Sequence, residues 1–150
     1  MARKMKFDIN KLIELDLIRR IPKSKQKAQE SIKTSKDWLQ EAKNNFESQS
    51  FRSCMLSCYL AMFHSARSIL FINGFREKSH FAVARFLEEK YTRKGLLEEK
   101  WIKLLDHYRE ARHDDQYSTS FFITSEESER ALESTKQFVE KMKELLETIK

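Results

Sequence analysis

Ten consecutive residues, Tyr108-Arg109-Glu110-Ala111-Arg112-His113-Asp114-Asp115-Gln116-Tyr117, place cations, carboxylates and an imidazole where the buried stripe of a helix should continue. Trp101, Leu105 and Tyr108 are four and three apart and so share one side of a helix; the same spacing carried forward reaches Arg112 and Asp115. A buried charge is costly unless it is paired. The stripe therefore either emerges into water or lines a polar cleft or a subunit interface. A second group with anion-binding chemistry lies upstream, where one side of an apolar helix carries Arg52, Ser53, Ser57, His64, Arg67 and Ser68 with no acid among them. This is either an ordinary exposed face or an anion-facing groove wall, in which His64 and Arg67, three apart, point the same way.

Other chemistries lack their signatures. No Gly-rich phosphate loop, HExxH helix, EF-hand loop or GxSxG elbow is present, which removes the commonest nucleotide hydrolase, protease, calcium and esterase readings. His64, His80, His107 and His113 do not pair at the i, i+4 spacing of a helical metal site, so neither a metal nor a cofactor is expected. Asp114 and Asp115 are adjacent, which turns them about 100° apart on a helix and prevents a tight carboxylate pair. Cys54 and Cys58 are helical neighbours in apolar surroundings with no second Cys or Cys/His pair, as befits buried structural thiols.

The elements that must position these groups are helical. The chain has 150 residues, enough for one core, with only two Gly and one Pro and with 35% charged residues. An all-α fold is expected. The basic start, Met1 to Lys6, leads into Phe7-Asp8-Ile9-Asn10 rather than an apolar run, so no signal peptide is read there. The most apolar stretch, 51–72, contains Arg52, His64 and Arg67, which argues against a membrane span; a cytoplasmic protein without membrane contact is expected. The net charge of +6 is concentrated at the N-terminus. Up to Lys36 there are eleven Lys/Arg against four Asp/Glu, leaving eighteen against nineteen in the remainder. Such a segment either solubilises the chain or attracts phosphate or an acidic partner.

Periodicity predicts a short amphipathic helix within 7–21, stopped by Pro22, as an addition to the bundle. Long helices follow over about 25–48 and 51–72, the second with Ser50 as its N-cap and Gly74 at its left-handed end. A fourth helix is expected over about 79–93, closed by Gly95, and a fifth from about 97 towards Tyr117. Thr124 and Glu127 form a capping box for a last helix ending near Ile149. The expected architecture is an antiparallel bundle of about five helices over 36–150, preceded by a basic extension, 1–35, with its short helix.

The run Tyr59-Leu60-Ala61-Met62-Phe63-His64-Ser65-Ala66-Arg67, then Gly74, Lys78-Ser79-His80, Leu96-Leu97, and finally Arg112 with Tyr117, resembles the HEPN domain, specifically its small stand-alone prokaryotic branch. The likeness covers about 36–149 and is most specific in YLAMFHSAR. It implies an antiparallel helical bundle, usually a homodimer, often encoded beside a minimal nucleotidyltransferase as a toxin and antitoxin pair. It also implies a metal-independent endoribonuclease site built on an Arg followed after four to six residues by His. Arg112 matches that arginine, and the histidine's place falls on Tyr117. A phenol titrating near ~10 does not exchange protons at neutral pH as an imidazole near ~6.5 does. Gln116 stands where the branch usually has Asp.

Three functions follow. The first is a HEPN protein that binds nucleotide or RNA phosphate through His64, Arg67, Lys78, His80 and Arg109 and acts with a nucleotidyltransferase. The second is an active ribonuclease toxin, with Arg112 stabilising the phosphorane-like charge, His113 or His64 moving protons and Tyr117 positioning the phosphate. Tyr117 also resembles the tyrosine that partner nucleotidyltransferases modify in some HEPN toxins. The third is a non-catalytic helical adaptor that docks a partner on its basic N-terminal segment.

Overall fold

A computed structural model describes residues 7–117 and 122–149, with the side chains of Asp115, Gln116 and Tyr117 outside the description. The chain forms α1 (Ile9–Glu14), β1 (Ile18–Arg20), α2 (Lys25–Glu47), α3 (Phe51–Ile72), β2 (Phe75–Glu77), α4 (His80–Leu87), α5 (Glu99–Tyr117) and α6 (Ser125–Thr148). This is the all-α bundle expected, with a single two-stranded ribbon among the described residues.

Local chemistry sets most of the boundaries. The Ser24 hydroxyl accepts from the Lys27 amide at 3.0 Å and the Thr124 hydroxyl from the Glu127 amide at 3.1 Å, each satisfying an orphan donor of a helix N-terminus. Ser50 is the N-cap of α3, but its side chain makes no capping bond. Between α2 and α3 the chain reverses through Gln49 at φ 62°, so the two helices run antiparallel.

Serines cement that pair. Ser31, Ser35, Ser57, Ser65 and Ser68 are all buried, and small side chains let α2 and α3 approach closely. Their hydroxyls are satisfied locally. Ser31 donates to the His64 carbonyl at 2.6 Å, Ser57 accepts from Asn45 at 3.0 Å, and Ser65 and Ser68 donate to the carbonyls three residues back. The small polar side of α3 is thus largely a packing seam, with only Arg52 and Ser53 of that set fully exposed.

The other side of α3 is the centre of the core. Cys54, Cys58, Ala61, Met62, Ala66, Ile69 and Leu70 are at 0% exposure, packed with Phe86, Leu87, Phe138 and Met142. By length and composition α3 could cross a bilayer, yet 72% of its apolar window is buried inside the bundle. Cys54 and Cys58 are free thiols in that core; their mutual hydrogen bond and burial push the Cys58 thiol up and keep it protonated.

Two expectations about the elements are corrected. The segment 7–21 is not one helix: α1 stops at Glu14, Asp16 turns the chain at φ 59°, and 18–20 becomes a strand. The reason is tertiary. β1 pairs antiparallel with β2 in the register Ile18↔Glu77, Arg19↔Arg76, Arg20↔Phe75, and Leu12 and Ile18 are buried in the common core. Further bonds, Ile21 N–H to the Gly74 carbonyl and Lys78 N–H to the Leu17 carbonyl, lace this segment to the bundle. α2 itself runs unbroken through residues 35 and 36. The fourth helix is also shorter than its periodicity predicts, because after Leu87 the chain widens into a π-helical turn, Glu88–Thr92. That turn holds Tyr91, whose hydroxyl accepts from Asn73 at 2.7 Å.

Candidate functional site

Tyr59, Phe63, Arg67 and Phe71 recur every four residues on α3 and so form one row along the helix. Two other elements bring groups onto it. His80 is the first residue of α4, and its ring stacks on Phe63 with centroids 4.0 Å apart at 29°. Its Nδ1 lies 2.9 Å from the Tyr59 hydroxyl. From α5, Arg112 sets its guanidinium 5.1 Å from the centre of the Tyr59 ring, a cation–π contact.

Burial first, then the neighbouring Arg112 and Arg67 against the opposing pull of Glu77, takes His80 from the ordinary histidine value down to about 4. Burial raises the Tyr59 phenol well above its usual value, only partly offset by Arg112 and Arg109. Both rings are therefore neutral at neutral pH. Either the phenol O–H donates to Nδ1, leaving Nε2–H as a donor, or Nδ1–H donates to the phenol oxygen, leaving the Nε2 lone pair as a base. Arg112 keeps a full cation beside them. Its Nε is buried without a hydrogen-bond partner, and among the described side chains no carboxylate pairs with it.

Further along the row, Arg67 Nε donates to Glu77 Oε1 at 2.7 Å, and its guanidinium lies 5.2 Å from the Phe63 ring centre and 5.4 Å from that of Phe71. Glu77 is buried and its second oxygen, Oε2, has no hydrogen-bond partner among the described residues. The acid missing from the helix periodicity of α3 is thus supplied by β2. His64 meets Phe63 edge-on at 5.3 Å, and burial and Arg67 lower its pKa. His64 and Arg67 do face one shallow groove, of about 240 Å³, together with Lys27, Glu30, Ser31, Thr34 and Arg76.

The remaining expected residues are distributed as follows. Arg109 is held by Asp106, which Arg85 also grips, and both guanidinium groups cover Phe81 at 5.3 and 5.0 Å. Lys78 is paired with Asp16 at 2.8 Å. His113 is exposed and, being next to Arg112, is turned about 100° from it around α5. Tyr117 ends α5, with its side chain outside the described residues. Periodicity placed Tyr59 in the core and said nothing of Glu77. Tyr59 and His80 are 21 residues apart on different helices, and no local pattern joins them.

These elements define an all-α bundle whose central helix presents an aromatic and arginine row capped by a tyrosine–histidine pair and an arginine from α5. Residues 28–145 match the HEPN domain, and the chain belongs to that family. Among curated relatives, Putative toxin MJ0605 of Methanocaldococcus jannaschii is 26% identical over 125 residues, 83% of this chain and 92% of that protein. The UPF0332 protein PH1297 of Pyrococcus horikoshii is 27% identical over 101 residues, covering 67% and 68% of the two chains. A UPF0332 protein of Archaeoglobus fulgidus is 26% identical over 112 residues, covering 75% and 89%.

Proposed function

We propose that this chain is a toxin-type HEPN protein that binds nucleotide or RNA phosphate on the face formed by Arg112, Tyr59 and His80. In this reading it works in the cytoplasm as a homodimer with a nucleotidyltransferase partner. The observation that carries the binding reading is the state of Arg112: a guanidinium that lies against a ring face and, among the described side chains, meets no carboxylate keeps hydrogen-bonding capacity for an external anion. Neutral His80 beside it adds a hydrogen-bonding nitrogen without repelling that cation.

Endoribonuclease activity is the second reading, and the Tyr59–His80 hydrogen bond favours it. Residue 117 is not a histidine, and His80 is the imidazole that, through Tyr59, comes beside Arg112. In the tautomer whose Nδ1–H donates to Tyr59, the free Nε2 lone pair takes a proton from a ribose 2′-hydroxyl, whose oxygen then attacks the adjacent phosphorus. Arg112 stabilises the charge that develops on the phosphoryl oxygens, and the 5′-oxygen leaves with a proton taken from water. Purified full-length protein in excess chelator, assayed for both RNA binding and cleavage, tests the two readings. Arg112→Ala is expected to weaken binding at least tenfold, and His80→Asn to abolish any cleavage while weakening binding less than Arg112→Ala does. Binding unaffected by Arg112→Ala removes the site; cleavage unaffected by His80→Asn removes the second reading.

A further inference from the structure

The β1–β2 ribbon has two differently built faces. Ile18, Phe75 and Glu77 point inward and are buried, and Arg20 lays its guanidinium on Phe75 at 5.2 Å from the ring centre. The outer face carries Arg19 directly opposite Arg76. Side chains facing each other across an antiparallel pair lie on the same side, with Cα atoms roughly 5 Å apart, and like charges there are mutually destabilising. Both arginines are exposed, and among the described side chains neither has an acidic partner. Lys23 folds its stem over Gly74, with Cγ 3.0 Å from where a Cβ would sit, and so adds a charge to the end of the ribbon. Arg76 also lines the groove that holds Lys27, His64 and Arg67.

From this juxtaposition we infer that the outer ribbon face, Arg19 and Arg76 with Lys23 and Lys27, is a second phosphate-binding site that holds a single-stranded nucleic acid on its way to Arg112. The inference rests on the phosphate-binding reading of the Arg112 face. The two sites are linked by contacts. Arg76 shares the groove with Arg67, and the half-exposed Arg67, His80 and Arg112 are all seated on the buried rings of Phe63 and Tyr59. From Arg67 to Tyr59 is eight residues of helix, roughly 12 Å. A strand rising ~3.4 Å per nucleotide covers that in about four nucleotides. The groove between α2, α3 and β2, lined by Glu30 against the cations Lys27, Arg67 and Arg76, holds about 240 Å³, a volume that seats part of one strand rather than a duplex. An acidic protein segment would meet the same guanidinium groups, but the half-exposed His80 imidazole and the Arg112 cation beyond them suit a strand that carries bases as well as phosphates.

Fluorescence anisotropy of labelled decauridylate with the full chain tests this over a range of potassium chloride concentrations. The Arg19→Ala/Arg76→Ala protein is expected to bind at least tenfold more weakly. The slope of log K against log salt should become shallower by about 1.4, ~0.7 for each phosphate of a single strand that the variant no longer neutralises. Its thermal midpoint should not fall, because the substitution removes a repulsion between two exposed side chains. Unchanged affinity and slope in this double variant, with binding still weakened at least tenfold in Arg112→Ala, overturns the ribbon site alone. Weakened binding in the double variant with no effect of Arg112→Ala upholds the ribbon and overturns the Arg112 reading. No binding of decauridylate by the natural chain overturns both, and equal affinity for a labelled decaglutamate peptide overturns the nucleic-acid assignment in favour of an acidic protein.

Discussion

His80 makes the stability of this protein depend on pH in a calculable way. Its folded pKa is about 4 because burial, Arg112 and Arg67 disfavour the imidazolium, whereas in the unfolded chain it reverts to ~6.5. Between these values the unfolded state binds the extra proton, so stability rises with pH across the interval and is lost as pH falls through it. At about pH 5 the unfolded histidine is almost wholly protonated and the folded one hardly so. The corresponding loss relative to pH 7 is about 2 kcal/mol, an upper bound because the ring is only half-buried. For a chain of this size that is a drop of roughly 4–8 °C in thermal midpoint. His64 shifts in the same direction, so the diagnostic quantity is a difference between proteins. His80→Asn keeps a hydrogen-bonding partner for Tyr59 and cannot titrate. Urea unfolding followed by far-UV circular dichroism at pH 7, 6 and 5 should show a natural chain that weakens more steeply than this variant. Parallel pH profiles for the two proteins would refute the idea that His80 is held neutral by its surroundings.

Other substitutions probe the supports of the site. Arg67→Ala strands the buried Glu77 carboxylate and should cost about 3–5 kcal/mol by denaturant unfolding, most of it recovered when Glu77→Leu is combined with Arg67→Met. Gly74 and Gly95 both have positive φ, at 80° and 74°, but a Cβ at Gly74 would lie 2.9 Å from the Ile21 carbonyl oxygen while one at Gly95 meets nothing within 4 Å. Gly95→Ala should therefore cost only about 1–2 kcal/mol of left-handed strain, and Gly74→Ala distinctly more, with the ribbon loosened as read by amide hydrogen exchange of 18–20. Phe138→Ala empties a fully buried position against Trp101 and should cost about 3–5 kcal/mol by the same unfolding assay.

Helix identity was written in local pattern. The apolar periodicity of 25–48, 51–72 and 125–149, the capping box at Thr124 and the glycines at 74 and 95 depend on contacts within a few residues, so one-dimensional spacing carries them. The motif YLAMFHSAR likewise marked the family, and Arg112 was singled out by its place on a stripe that turned ionic. Where a segment's conformation depends on a distant partner, spacing misleads. Residues 18–20 have a helical apolar rhythm and are nonetheless a strand, because β2, more than fifty residues later, supplies the hydrogen bonds and the core supplies a place for Ile18.

Composition and periodicity by themselves determined an all-helical core built on α3, a basic N-terminal segment and a charged end to α5. Tertiary structure alone decided what those charges meet. It paired Arg67 with Glu77, tied Arg109 and Lys78 to Asp106 and Asp16, and set Arg112 on Tyr59 with His80 bonded beside it. Helical periodicity fixes the direction in which a side chain leaves its own helix. The chemistry it finds there belongs to other elements, brought near by packing.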